Sequence, residues 1–179
     1  AVIPRRSVPC AAAGLPNAEL FAQMIASQHG GAGALPSGLG LTGKDFAALL
    51  ARHFPGFGMA TQAEAGSADQ RALERDDVLG LLLEHRAYDN MSEQWMAEIV
   101  TYACMGNDHL WQDLGLHSRE YLSRLMVQNF PALAAKNEHD MKWKKFLYKQ
   151  LCEQEGVNVC RSPSCEYCAD YLNCFGPEE

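Results

Sequence analysis

The chain has 179 residues, of which 47% are hydrophobic and 21% charged, and this composition is typical of one folded domain with a substantial core. Its formal charge of −7 argues against a nucleic-acid-binding surface, because phosphate backbones attract basic proteins. No apolar run is long enough to cross a bilayer, and residues 1–16, expected to form a flexible lead-in, lack the apolar core of a secretory signal. We therefore expect a cytoplasmic protein without nucleic-acid or membrane partners.

Helical periodicity recurs along the chain, whereas the sequence has no alternating runs of Val, Ile and Thr of the kind that mark strands. Apolar faces with helical spacing occur in the segments 20–25, 46–53, 78–83, 95–100 and 122–126. A last, longer helix is predicted from about Asn137 to Glu155, with Gly156 as its stop. The sequence thus predicts an all-α fold, with a compact helical domain over residues 1–159 and a cysteine-rich tail over residues 160–179.

An internal repeat relates two parts of the helical domain. Residues 20–55 align with residues 95–131 when one residue is inserted at His117. Equivalent positions then carry matching residues of the kinds that end or begin helices: Gly31 and Gly106, Leu-Gly-Leu at 39–41 and 114–116, the N-cap residues Thr42 and Ser118, and Phe-Pro at 54–55 and 130–131. We interpret the two segments as related helix–loop–helix units that bury their apolar faces against each other.

A glycine-rich segment at residues 38–45 resembles nucleotide-binding motifs but does not satisfy them. It fits G-x-G-x-x-G, and it fits the phosphate-binding loop until Asp45, which replaces the magnesium-ligating Ser or Thr. Both motifs also require a preceding apolar strand. We interpret the segment as a loop and a helix start. Since no nucleophile–base set stands out either, we expect a protein that is not an enzyme.

Basic residues concentrate just before the tail. Residues 136–149 contain five lysines against two acidic residues, a local charge of +3 in an acidic chain. On a helix, Lys142, Lys145 and Lys149 would form one stripe, opposite an apolar stripe that begins at Trp143. The lysines fit two interpretations, a cationic rim beside an anionic site or the solvated face of an ordinary amphipathic helix.

Four cysteines fall within the last twenty residues with the spacing C-x4-C-x2-C-x5-C: Cys160, Cys165, Cys168 and Cys174. Thiolates at such spacing bind zinc, Cu(I) or iron–sulfur clusters. Zinc sites usually combine two C-x2-C pairs, whereas a single pair with wider flanking gaps favours a larger iron–sulfur core. Cys10, Cys104 and Cys152 are scattered, and the pattern assigns them no role.

Three blocks in order identify a family: His-Leu-Trp-Gln-Asp-Leu-Gly-Leu at 109–116, Met-Lys-Trp-Lys-Lys-Phe-Leu-Tyr-Lys-Gln-Leu-Cys at 141–152, and the cysteine tail ending Cys-Phe-Gly. The chain resembles the NifQ family of nitrogen-fixation proteins, firmly over about residues 95–176. The resemblance implies a molybdenum–iron–sulfur cluster on the four tail cysteines, built from an iron–sulfur precursor and molybdate. It also implies donation of molybdenum to the scaffold of the nitrogenase iron–molybdenum cofactor, together with the nitrogenase iron protein.

Two other classes remain open, a zinc-binding interaction module and an iron–sulfur electron-transfer protein. Within the NifQ interpretation, four cysteines would occupy every metal of a four-metal core, so molybdenum could take a ligand from elsewhere. His109, in a loop after Gly106, is our first candidate for that ligand, and Cys104 and Cys152 are weaker candidates. The alternative for His109 is a histidine that caps its loop. Lys142, Lys145 and Lys149 are expected to bind or steer the anionic cargo.

Overall fold

The structure, a computed structural model, describes residues 15–57, 72–154, 171–175 and 178. Within these ranges the secondary structure is entirely helical, which confirms the predicted all-α class. The helices, in chain order, are α1 (Ala18–His29), α2 (Gly43–His53), α3 (Ala72–Glu84), α4 (Met91–Cys104), α5 (Leu110–Asp113), α6 (Arg119–Asn129), α7 (Pro131–Ala135), α8 (Trp143–Gln154) and α9 (Tyr171–Phe175). In the described ranges, no helix has the length and apolar character that a membrane span requires.

The helices share one hydrophobic core. It contains the apolar faces of α1, α2, α4 and α6, to which α3 adds Val78, Leu81 and Leu82, and α8 adds Trp143, Phe146 and Leu147. Helix α3 packs against α4 and α8, and α7 packs against α6. The apolar stripes predicted from the sequence therefore face inward, as expected for helices whose stability comes from burying one face.

The predicted repeat is confirmed by the helix boundaries. Helices α2 and α6 each have eleven residues, and their starts and ends correspond under the alignment. Helices α1 and α4 end at equivalent residues, and α4 begins two residues earlier. The match extends to backbone angles, since Phe54 has φ −135° and ψ 58° and its equivalent Phe130 has φ −133° and ψ 58°.

Reciprocal contacts show that an approximate twofold axis relates the two units. Asn17 of the first unit donates a hydrogen bond of 2.7 Å to Asn129 of the second, and the equivalents of these residues, Ser92 and His53, form a hydrogen bond of 2.8 Å. Burial and the neighbouring charge of Arg52 lower the pKa of His53 to about 4. The imidazole is therefore neutral at pH 7, as its position among aromatic rings requires.

Two glycines repeat this reciprocity. Gly40 and Gly115 are equivalent and both have positive φ, 83° and 73°. A Cβ at Gly40 would lie 2.8 Å from the Tyr102 ring of the other unit, and a Cβ at Gly115 would lie 2.6 Å from Ser27, the equivalent of Tyr102. In each unit, a side chain of the first helix therefore packs against the glycine turn of the other unit. This contact leaves no room for a side chain at either glycine.

Of the two predicted N-caps, the structure confirms the capping bond of Thr42 and shows none for Ser118. The Thr42 hydroxyl accepts a hydrogen bond of 3.2 Å from the amide of Asp45, as an N-cap should. The glycine-rich segment is therefore a loop leading into α2, as predicted. Ser118 occupies the equivalent N-cap position, but its side chain makes no capping hydrogen bond.

The prediction for the last long helix was wrong at its start. Helix α8 begins at Trp143, about six residues later than expected. Asn137 instead forms a local turn, in which its side chain accepts from the amide of Met141 and donates to the carbonyl of the same residue, at 2.8 and 2.9 Å. Asp140 has φ 55°. Asn side chains that bond nearby backbone compete with helix formation, and α8 therefore begins only after this turn.

Candidate functional site

A cleft of about 500 Å³ lies between the loop before α5, the start of α8 and the C-terminal helix α9. Its wall includes His109 from the loop, Lys142 and Lys145 from the start of α8, and Asn173 from α9. The three sequence blocks that carry the family resemblance thus contribute to one cavity. His109, Lys142 and Lys145 were predicted separately as candidate site residues, and the fold brings them together.

Lys142 holds α9 against the helical domain. Its backbone amide donates to the carbonyl of Cys174 at 2.6 Å, and its ammonium donates to the carbonyl of Leu172 at 3.0 Å. Cys174 and Phe175 are partly buried and pack against the core. The last of the four predicted cluster ligands therefore lies on a helix anchored at the edge of the cleft.

The other three predicted ligands, Cys160, Cys165 and Cys168, lie outside the described residues, so their role stays a prediction. The ranges that the structure does describe contain no group of three or more His, Cys, Asp or Glu side chains able to hold a metal ion.

His109 stands at the N-cap position of α5 and is partly buried in the wall of the cleft. Its backbone amide donates to the Gln112 side chain at 3.2 Å, and this bond fixes the first turn of α5. The structure therefore supports the loop-capping position considered for this histidine. It also places His109 in the same cleft wall as Asn173, the residue before Cys174.

The predicted stripe of three lysines divides into residues with different surroundings. Lys142 donates hydrogen bonds to two carbonyls of α9. Lys145 is exposed in the cleft wall and has no ion-pair partner among the described residues. Lys149 lies outside the cleft wall and faces Glu153 at 3.9 Å, one turn further along α8. Only part of the basic stretch can therefore act on a ligand in the cleft.

Lys144, which lines the cleft, forms an ion pair with a buried carboxylate. Asp113, which is only 2% exposed, pairs with the ammonium of Lys144. Both residues lie in the family blocks, but their pairing was not predicted. The available signal was an acidic residue inside the mostly apolar stretch Leu-Trp-Gln-Asp-Leu-Gly-Leu, since buried carboxylates need a partner of opposite charge.

The charges around the cleft nearly balance. Its wall also contains Asp108 and Glu178, and Glu178 lies 3.4 Å from Arg119, which also pairs with Asp140 at 2.9 Å. Lys144 is neutralised by Asp113. An anionic ligand would therefore be attracted locally, by the ammonium groups of Lys142 and Lys145, and not by a net charge of the whole cleft.

The two cysteines considered as weaker candidates do not belong to the cleft wall. Cys104 is 3% exposed at the end of α4, and burial raises the pKa of its thiol to about 12. Cys152 is partly exposed on α8. Cys10 lies outside the described residues.

Comparison with known proteins agrees with the three sequence blocks. The NifQ family model matches residues 20–176, which extends well beyond the firm region of the resemblance. Protein NifQ of Azotobacter vinelandii is 48% identical over 168 residues, covering 87% of this chain and 86% of that protein. Protein NifQ of Rhodobacter capsulatus is 38% identical, with 89% and 87% covered, and that of Klebsiella pneumoniae is 37% identical, with 82% and 91% covered. No solved structure matches the chain. The chain belongs to the NifQ family.

Proposed function

We propose that this protein carries a molybdenum–iron–sulfur cluster as cargo and donates its molybdenum for assembly of the nitrogenase iron–molybdenum cofactor, acting as a donor rather than as a turnover catalyst. The observation that carries the proposal is the cleft, where His109, Lys145 and the helix bearing Cys174 meet. The expected partners are the nitrogenase iron protein and the cofactor scaffold, in the cytoplasm, with molybdate as the source of molybdenum.

The donor set fits such a cargo. Cysteine thiolates are soft ligands that hold iron–sulfur cores, and the spacing of the four tail cysteines suits a core larger than one zinc ion. Cys174 would enter the site from α9, whose carbonyls are held by Lys142. An imidazole from His109 would supply a neutral ligand of different character at the same cleft.

A donor must hold its molybdenum less firmly than its iron. A single histidine on the wall of an open cleft meets this requirement better than a fully buried thiolate. The ammonium groups of Lys142 and Lys145 would stabilise the negative charge of a thiolate-bound cluster, and of molybdate before its incorporation. The cleft therefore provides a site for uptake and for release.

Metal analysis tests the proposal directly. The protein would be purified under anaerobic conditions from cells supplied with molybdate, and its iron, molybdenum and zinc would be measured. We expect iron and molybdenum to be present together, and molybdenum to leave upon incubation with the cofactor scaffold. Zinc alone would support an interaction module. A reversible electron-paramagnetic signal without molybdenum transfer would support electron transfer.

Replacement of His109 should separate molybdenum from iron. We expect His109→Ala and His109→Asn to lower the molybdenum-to-iron ratio by about tenfold or more, because loss of even an outer-shell partner of a metal ligand commonly weakens metal binding about tenfold. Iron should stay, since the cysteines are untouched. The Asn variant keeps a good N-cap and so separates ligation from capping. His139→Ala, at an exposed position outside the cleft, is the control. An unchanged ratio in both His109 variants would leave this histidine with a capping role only.

Charge reversal at the cleft should slow molybdenum transfer. We expect Lys145→Glu to reduce the transfer rate to the scaffold by roughly two- to fivefold at low salt, and to weaken its salt dependence. Lys149→Glu, on the same helix but outside the cleft wall, should transfer at nearly the normal rate. Rates are compared between the two variants over a salt series. Equal rates would show that Lys145 belongs to an ordinary solvated surface.

A further inference from the structure

The ammonium of Lys144 joins three oxygen atoms on both sides of His109. It donates to the carbonyls of Gly106 and Asp108, at 2.9 and 2.6 Å, and to the carboxylate of Asp113. A lysine ammonium has three hydrogens, so these acceptors use its full capacity. Although Lys144 lines the cleft, it has no hydrogen left for a ligand. Its three hydrogen bonds instead connect the start, the middle and the end of the segment 106–113 through one ammonium group.

The segment is shaped to accept this arrangement. A Cβ on Gly106 would lie 2.5 Å from the carboxylate of Asp113, so only glycine lets the carboxylate reach Lys144. The carbonyl of Asp113 also accepts from the amide of Ala34 at 2.8 Å, which connects the segment to the first repeat unit. His109 lies in the middle of the segment, so its position depends on these contacts as well as on the bond from its own amide to Gln112.

The same few residues of α8 hold the cysteine helix. Lys142, two residues before Lys144, binds the carbonyls of Leu172 and Cys174. The start of α8 thus holds the His109 loop with one lysine and α9 with another. Their relative placement depends on both lysines.

We propose that Lys144 and Asp113 are a positioning pair, which fixes the His109 loop against α8 and so sets its position relative to Cys174. The pair touches no cargo. Its effect on molybdenum rests on the proposed function, whereas its effect on the loop does not. Removing the pair should therefore loosen residues 106–110 in the metal-free protein, and should release molybdenum while the cysteines keep iron.

The test uses the variant Asp113→Leu/Lys144→Met of the full chain. Leu matches the shape of Asp and Met that of Lys, and removing both charges avoids the unpaired buried charge that a single change would leave. The control is Lys149→Met/Glu153→Leu, which removes a surface ion pair from the same helix. For each protein, three properties are measured: helical content, amide hydrogen exchange of the metal-free form, and the molybdenum-to-iron ratio after anaerobic purification with molybdate.

We expect exchange of residues 106–110 to accelerate about tenfold in the Asp113/Lys144 variant, with α1 and α4 unchanged, and the molybdenum-to-iron ratio to fall about tenfold with iron retained. The control should match the unmodified protein in both. Unchanged exchange in the loop would overturn the proposal, as would a normal molybdenum-to-iron ratio in a variant whose loop exchanges faster. If the unmodified protein retains no molybdenum, the proposed function fails, and loop exchange still decides whether the pair positions His109.

Discussion

Cys165→Ala and Cys168→Ala are each expected to remove essentially all iron and molybdenum from the protein while the helical domain stays folded. Each thiolate would bind one metal of a compact core, and a cluster that lacks one protein ligand is exposed to water and oxygen. These two cysteines form the C-x2-C pair at the centre of the motif. Loss of either one leaves only three tail cysteines to bind the core. Metal content and far-ultraviolet circular dichroism, measured on anaerobically purified protein, check both halves of this expectation.

The matched control is Cys152→Ala, because Cys152 is partly exposed on α8 and lies outside the cleft wall. It should retain full metal content. Cys174→Ala is less informative, since Cys174 packs against the core and its loss would also disturb α9. Metal content equal to that of the unmodified protein in both Cys165→Ala and Cys168→Ala would remove the tail from the proposed site. We also expect little change in thermal stability, because the described helices share a core that does not depend on the metal.

The second large effect is expected in the core, at the two phenylalanines that the repeat makes equivalent. Phe54 is 2% exposed and Phe130 is fully buried, and both follow the second helix of their unit with the same backbone angles. We expect Phe54→Ala and Phe130→Ala each to lower the free energy of unfolding by about 3–5 kcal/mol, through lost burial and the cavity left behind. Urea unfolding followed by circular dichroism measures both values.

Val127→Ala is the control for these variants. Val127 lies on α6, near Phe130, but is 60% exposed, so its truncation should change stability by less than about 0.5 kcal/mol. The twofold arrangement requires similar losses at the two phenylalanines. A loss below about 1 kcal/mol at either position would mean that this unit closes its core in a different way.

The sequence alone determined the helical class, the repeat and the family. Periodic apolar faces predict helices because a 3.6-residue period sets which side chains share a side. Glycines and the Phe-Pro pairs mark helix ends and turns locally, so the correspondence of 20–55 with 95–131 could be recognised without coordinates. Asp45 at the end of the glycine-rich segment was likewise enough to reject phosphate binding, because a carboxylate there repels phosphate.

Only the tertiary structure decided which of the candidate residues meet. His109 and Lys142 are 33 positions apart, and nothing in their spacing shows that both face one cleft beside α9. The basic stretch predicted one stripe of lysines, but Lys142 bonds α9 whereas Lys149 faces Glu153, and these partners come from different parts of the chain. Lys144, which the sequence did not distinguish from its neighbours, pairs with Asp113 across 31 residues. Local patterns fix which face of a helix is buried, whereas long-range packing fixes which charges lie against one another.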